Sequence, residues 1–112
     1  MSFDPGQIMA DVENGATRLE KAADVYSKAV ERFEEAENVF QMAMAKERTR
    51  VFEAHEGKLA ADLRNDYALK AIDTEIRTEY AAAKADKEAQ AVRFRALAAA
   101  VSARQSLLKA LQ

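Results

Sequence analysis

The chain has 112 residues, 49% hydrophobic and 32% charged, with a net charge of -2 and a pI near 5.5. That length suits one domain, zero Cys excludes disulfides and thiolate metal sites, and one His (His55) builds no zinc or haem centre by itself. Among the apolar residues 25 are alanine, only three Gly and one Pro occur, and Trp is absent, a composition that favours long helices around a thin core over any sheet.

In chain order, the first segment reads FDPGQIMADVENG. Asp4 can cap, Pro5 fits the first helical position, and Ile8, Met9 and Val12 make a small apolar face, predicting a short helix over about 5–14. Thr17 and Glu20 stand at capping-box spacing, so Gly15 and Ala16 read as a joint before a longer arm; an uninterrupted helix through Gly15 is the alternative.

The first long arm, about 17–55, carries a heptad seam in which Leu19, Ala22, Tyr26, Ala29, Phe33, Ala36, Phe40 and Ala43 recur at steps of four and three. Alanine alternates with large residues, so a partner helix can approach at the alanines while the large side chains fill the space between. Val30, Met44 and Val51 widen the stripe. At ~1.5 Å per residue this arm is ~58 Å long. It is expected to end at a turn over 56–57, where Gly57 can adopt the left-handed conformation that closes many helices.

A second arm, about 58–111, follows, with a weak point at Asn65 and Asp66, residues that prefer turns and caps. Its seam reads Leu69, Ile72, Ile76, Glu79, Ala83, Asp86, Gln90, Phe94, Leu97, Val101, Arg104, Leu108 and Leu111, with a stutter between Asp86 and Phe94. Folding back at Gly57 is expected to bring Phe33 near Tyr80, Phe40 near Ile72 or Asp73, and Leu19 near Phe94. The expected fold class is therefore all-α: a long antiparallel, coiled-coil-like hairpin with a short N-terminal helix, forming one domain over residues 1–112. Two arms with so thin a seam leave each helix one neighbour, so a homo-oligomer is expected, with Phe94, Leu97, Val101, Leu107, Leu108 and Leu111 as the candidate interface.

Charge is uneven. Through Ala45 nine acidic residues face four basic ones, whereas from Lys84 onward six basic residues face two acidic ones. Antiparallel folding sets Glu20, Asp24 and Glu31 opposite Lys84, Lys87 and Arg93, which accounts for much of that asymmetry as surface pairing. Around the turn, Lys46, Arg48, Arg50, Lys58 and Arg64 form a basic tip suited to phosphates. Phe52 and Tyr67 lie close by, placed either to stack on bases or to bury across the hairpin.

No GxGxxG, Walker loop, HExxH or nucleophile–base context occurs, so no enzyme, cofactor or small-molecule substrate is expected. No run approaches the ~18 apolar residues a membrane span needs, and the start lacks a secretory pattern, so a cytoplasmic protein without a membrane partner is expected.

A long first helix ending AMAKERTRVFEAHEG, a Gly turn, the charged run KLAADLRNDY and a terminal FRALAAAVSARQSLLKAL resemble small phage-encoded helical proteins of the UvsY recombination-mediator type, over Tyr26 to Leu111. The resemblance implies a ring-like homo-oligomer, without catalysis, that binds single-stranded DNA and helps a RecA-type recombinase displace single-strand-binding protein. That family's Lys-x-Arg pair corresponds here to Lys46 and Arg48, or to Arg48 and Arg50. Its oligomer-forming terminal helix corresponds to Phe94 through Leu111. Glu47 and Glu53 interrupt the positive charge, a departure from that pattern. The alternative is a helical-hairpin adaptor or phage regulatory protein that grips a host protein without nucleic acid. Secreted WXG hairpins have similar length, but this chain has no Trp for their Trp-x-Gly turn.

Overall fold

A computed structural model describes residues 4–111, which form three helices: α1 (Pro5–Ala54), α2 (Ala61–Ala71) and α3 (Thr74–Ala110). No strand occurs among the described residues, so the all-α expectation holds. The chain divides into two compact units, one taking residues up to Val30 with those from Asp86 onward, the other Glu31–Ala85.

α1 opens as the sequence predicts. Asp4 Oδ1 accepts the Gly6 N–H at 2.9 Å and the Asp4 carbonyl accepts from Ile8, with Pro5 in the first helical position, where a missing N–H costs nothing. The expected joint at Gly15–Ala16 is not there: one helix of 50 residues runs through it. Thr17 forms no capping box; its hydroxyl donates back to the Glu13 carbonyl at 3.2 Å, as threonine does inside a helix. The reason is packing. Ile8, Gly15, Ala22, Ala29 and Ala36 repeat every seven residues, and all five are buried, Ala22 and Ala29 at 3% exposure. Gly15 is thus the smallest member of the heptad. Its burial outweighs the ~1 kcal/mol that glycine costs a helix interior relative to alanine.

In the first unit, α3 runs antiparallel to α1. Tyr26 stacks on Phe94 with ring centroids 6.1 Å apart, where Leu19 was the expected neighbour, and the bare Cα of Gly15 admits the Val101 side chain. A Cβ on Gly15 would lie 2.9 Å from Val101 Cγ2, inside the contact limit for carbon atoms. Asp24, expected to face the basic stretch of the second arm, pairs with Lys28 of its own helix at 3.2 Å.

In the second unit, Tyr80 is the aromatic centre. It lies 4.4 Å from Phe40, nearly parallel, and 5.8 Å from Phe33. The Phe33 pairing follows the expected register; Phe40 meets Tyr80 rather than Ile72 or Asp73. The second arm breaks, but not at Asn65–Asp66, which lie inside α2. The break falls at Ile72–Asp73, where Ile72 is extended (φ -66°, ψ 140°) and 4% exposed, and Asp73 caps α3 by accepting the Glu75 N–H at 3.1 Å.

The seam of α3 also differs from the expected one. Ile76, Tyr80, Ala83, Lys87, Gln90, Phe94, Leu97 and Val101 are buried or half-buried at unbroken steps of four and three, and Glu79 is exposed. Tyr80 replaces Glu79 in the repeat; Asp86 is half-buried as expected, and Lys87, half-buried beside it, carries the steps on without the stutter. The Tyr80 ring packs on Phe33 and Phe40, covering apolar surface that the Glu79 carboxylate cannot.

Candidate nucleic-acid interface

The basic residues singled out around the turn all belong to the second unit. α1 ends in a Schellman closure: Gly57 N–H donates to the Phe52 carbonyl at 2.9 Å and Glu56 N–H to the Glu53 carbonyl at 3.0 Å. Two consecutive residues carry positive φ, Glu56 at 56° and Gly57 at 73°. Glycine serves the second of these positions, while the first, the usual glycine site of the motif, is a glutamate. His55 stacks against Tyr67 at 5.5 Å, and its Nδ1–H donates to the Val51 carbonyl at 2.9 Å. These contacts fold α2 back along the end of α1.

That return brings Arg64 of α2 over Phe52 of α1, with the guanidinium carbon 4.4 Å from the ring centroid. Phe52 is half-buried beneath it. Arg64 Nε is buried without a hydrogen-bond partner among the described residues. Arg48, one turn before Phe52, donates from Nη1 to Asn65 Oδ1 at 3.4 Å, a long contact to a neutral acceptor. Ala45, Arg48, Thr49, Phe52, Glu53 and Arg64 line an open groove of about 370 Å³. Two guanidinium groups from different helices therefore line one concavity, and neither has a carboxylate partner among the described residues.

The remaining basic residues divide. Arg50 is held by Glu47, with Nε and Nη2 each 2.8 Å from Oε2, and its charge is locally compensated. Lys46 and Lys58 are exposed and without an ion-pair partner among the described residues. Sequence reasoning named Arg48 and Arg64, and Glu53 as an interruption of the positive charge, but not Thr49. The available signal was the spacing of Ala45, Arg48, Thr49 and Phe52, one face of a helix.

The residues expected at an oligomer contact are partly used inside the chain. Phe94 stacks on Tyr26 and Val101 is 6% exposed beside Gly15; Leu97, Leu107 and Leu108 are half-buried, and Leu111 is exposed. Among the described residues there is no group of three acidic or His side chains placed to hold a metal, and no helix long and apolar enough to cross a membrane. No protein-family model, curated protein or solved structure matches the chain.

Proposed function

We propose that this chain is a non-enzymatic accessory protein that binds single-stranded DNA at the end of α1 and the start of α2, acting as a recombination mediator that helps load a RecA-type recombinase. One observation carries the DNA reading: Arg48 and Arg64 line a single groove beside a half-buried aromatic ring, and neither is ion-paired among the described residues, although the Glu53 carboxylate lines the same groove. Guanidinium groups grip phosphate oxygens bidentately, and an arginine resting on a ring presents its free face to a base. Lys46 and Lys58 extend the positive surface. A single strand suits this better than a duplex, because Glu47 and Glu53 interrupt the charge and few cations are available. The recombinase-loading role rests on the resemblance of the sequence to UvsY-type mediators. A homo-oligomer belongs to the same proposal, since copies side by side would multiply a weak individual site.

The test is a salt titration of labelled oligo-dT binding. Arg48→Ala/Arg64→Ala is expected to weaken binding by about 10- to 100-fold and to flatten the salt slope by ~1.4, at ~0.7 for each single-strand phosphate no longer neutralised. Arg50→Ala, which frees Glu47 as it removes a compensated cation, is expected to weaken it less. Absence of salt-sensitive binding by the wild type at low salt overturns the proposal.

A further inference from the structure

The second unit holds another concavity, lined by Arg32, Glu35, Ala36 and Val39 of α1 and Glu75, Ile76 and Glu79 of α3, an open groove of about 400 Å³. Its floor is apolar. Ala36 is buried, Val39 is 51% exposed, and Met42, one turn further along α1, is 74% exposed, so an apolar strip leads out of the groove along the helix. Val39 and Met42 stand on adjacent turns of α1, so their exposed apolar surface is continuous with the floor of the groove.

The groove walls are acidic, and the charge does not cancel. Arg32 is taken up by Glu79, whose Oε1 lies 2.8 Å from Nε and 2.7 Å from Nη2. Glu35 and Glu75 have no cation at ion-pair distance among the described residues. Around them α1 reads ERFEEAE, with Glu31, Glu34 and Glu37 adding to the field. Such a surface repels DNA and attracts cations. It is therefore distinct in chemistry from the Arg48–Arg64 groove, and nothing in the DNA reading uses it.

We propose that this groove docks one amphipathic helix of a partner protein, apolar on the face laid against Val39, Met42 and Ile76 and rich in Lys or Arg on the flanks that meet Glu35 and Glu75. A helix is the occupant because the strip follows the axis of α1, and a helix laid alongside contacts it every three or four residues. The flanks are basic because two uncompensated carboxylates border an apolar floor: cations there gain attraction, whereas acidic flanks add repulsion.

The experiment uses the full chain and two synthetic peptides with the same heptad of leucines, one with Lys at every flanking position and one with Glu, read by fluorescence anisotropy. The Lys peptide is expected to saturate and the Glu peptide not to. Glu35→Gln/Glu75→Gln is expected to weaken the Lys peptide roughly tenfold at low salt, the difference vanishing at high salt. Val39→Ser/Met42→Ser is expected to abolish saturation with the circular dichroism of the protein unchanged, since both side chains are exposed. Equal binding of the two peptides, no saturation by either, or indifference to both double variants overturns the proposal. Dissociation of a homo-oligomer by Val39→Ser/Met42→Ser also overturns it, because the occupant is then a second copy. Oligo-dT binding by the same variants is expected to be unchanged, which separates this outcome from the DNA test.

Discussion

Gly15→Ala is the sharpest probe of how closely α1 and α3 approach in the first unit. Two opposed effects have similar size. Alanine is favoured over glycine in a helix interior by ~1 kcal/mol, so an unobstructed site would gain that amount. The new Cβ, however, would sit 2.9 Å from Val101 Cγ2, and Val101 is buried and stiff about χ1 because it is β-branched in a helix. Overpacking of this kind costs about 1–3 kcal/mol, so Gly15→Ala is expected to be neutral or destabilising by up to ~2 kcal/mol. Val101→Ala removes the obstructing methyl. In that background Gly15→Ala is expected to stabilise by the full ~1 kcal/mol, giving a coupling energy of about 1–3 kcal/mol in the double-mutant cycle. Urea denaturation followed by circular dichroism measures all four proteins. The close approach is refuted if Gly15→Ala stabilises equally in both backgrounds.

Two further predictions concern the second unit. Glu56→Gly is expected to stabilise the protein by ~1 kcal/mol, because Glu56 holds the left-handed position of the Schellman closure with φ 56°, a conformation that costs a residue with a Cβ about 1–2 kcal/mol; Glu56→Ala, which keeps the Cβ, is expected to gain nothing in the same denaturation assay. Tyr80→Leu is expected to cost ~1–3 kcal/mol, since it removes two ring contacts of about 0.5–1.5 kcal/mol each while keeping an apolar side chain. Tyr80→Phe keeps both rings in place and is expected to stay within ~0.5 kcal/mol of wild type by thermal unfolding.

The all-α class, the cap at Asp4 and the reversal after His55 were legible because each is written in local chemistry: a helix-favouring composition, an Asp-Pro start, a glycine in a positive-φ turn. The seam of α1 was legible from Leu19 to Ala43 because alanines alternate with large residues at heptad spacing. Its true start lies earlier. Gly15 fits the same register seven residues before Ala22, and Ile8 seven before that, but a glycine beside a threonine three residues ahead of a glutamate also has the look of a helix boundary. Local signals alone do not decide between the two; Val101 does, by occupying the space a side chain would need. The break at Ile72–Asp73 was missed for the converse reason. Asn65 and Asp66 have the poorer helix propensity, yet Asn65 accepts from Arg48 across the fold, and the break falls where a buried isoleucine precedes an aspartate able to cap.

The same logic separates the two grooves of the second unit. The basic tip was visible in sequence as a count of cations, but a count does not say which of them are spent. Glu47, three residues before Arg50, takes that arginine's charge, as i,i+3 pairs on one helix do. Arg48 and Arg64, by contrast, come together only because α2 returns along α1, with Phe52 beneath one of them. In the acidic groove the cation is spent and the carboxylates are left over: Arg32 reaches Glu79 across the helix pair, stranding Glu35 and Glu75 beside Val39. What a polyanion or a basic helix would meet on this unit is therefore set by the charges left unpaired after folding. That remainder depends on helix register: a shift of one residue in the seam of α3 exchanges Tyr80 for Glu79, buries the carboxylate that Arg32 needs, and erases the distinction.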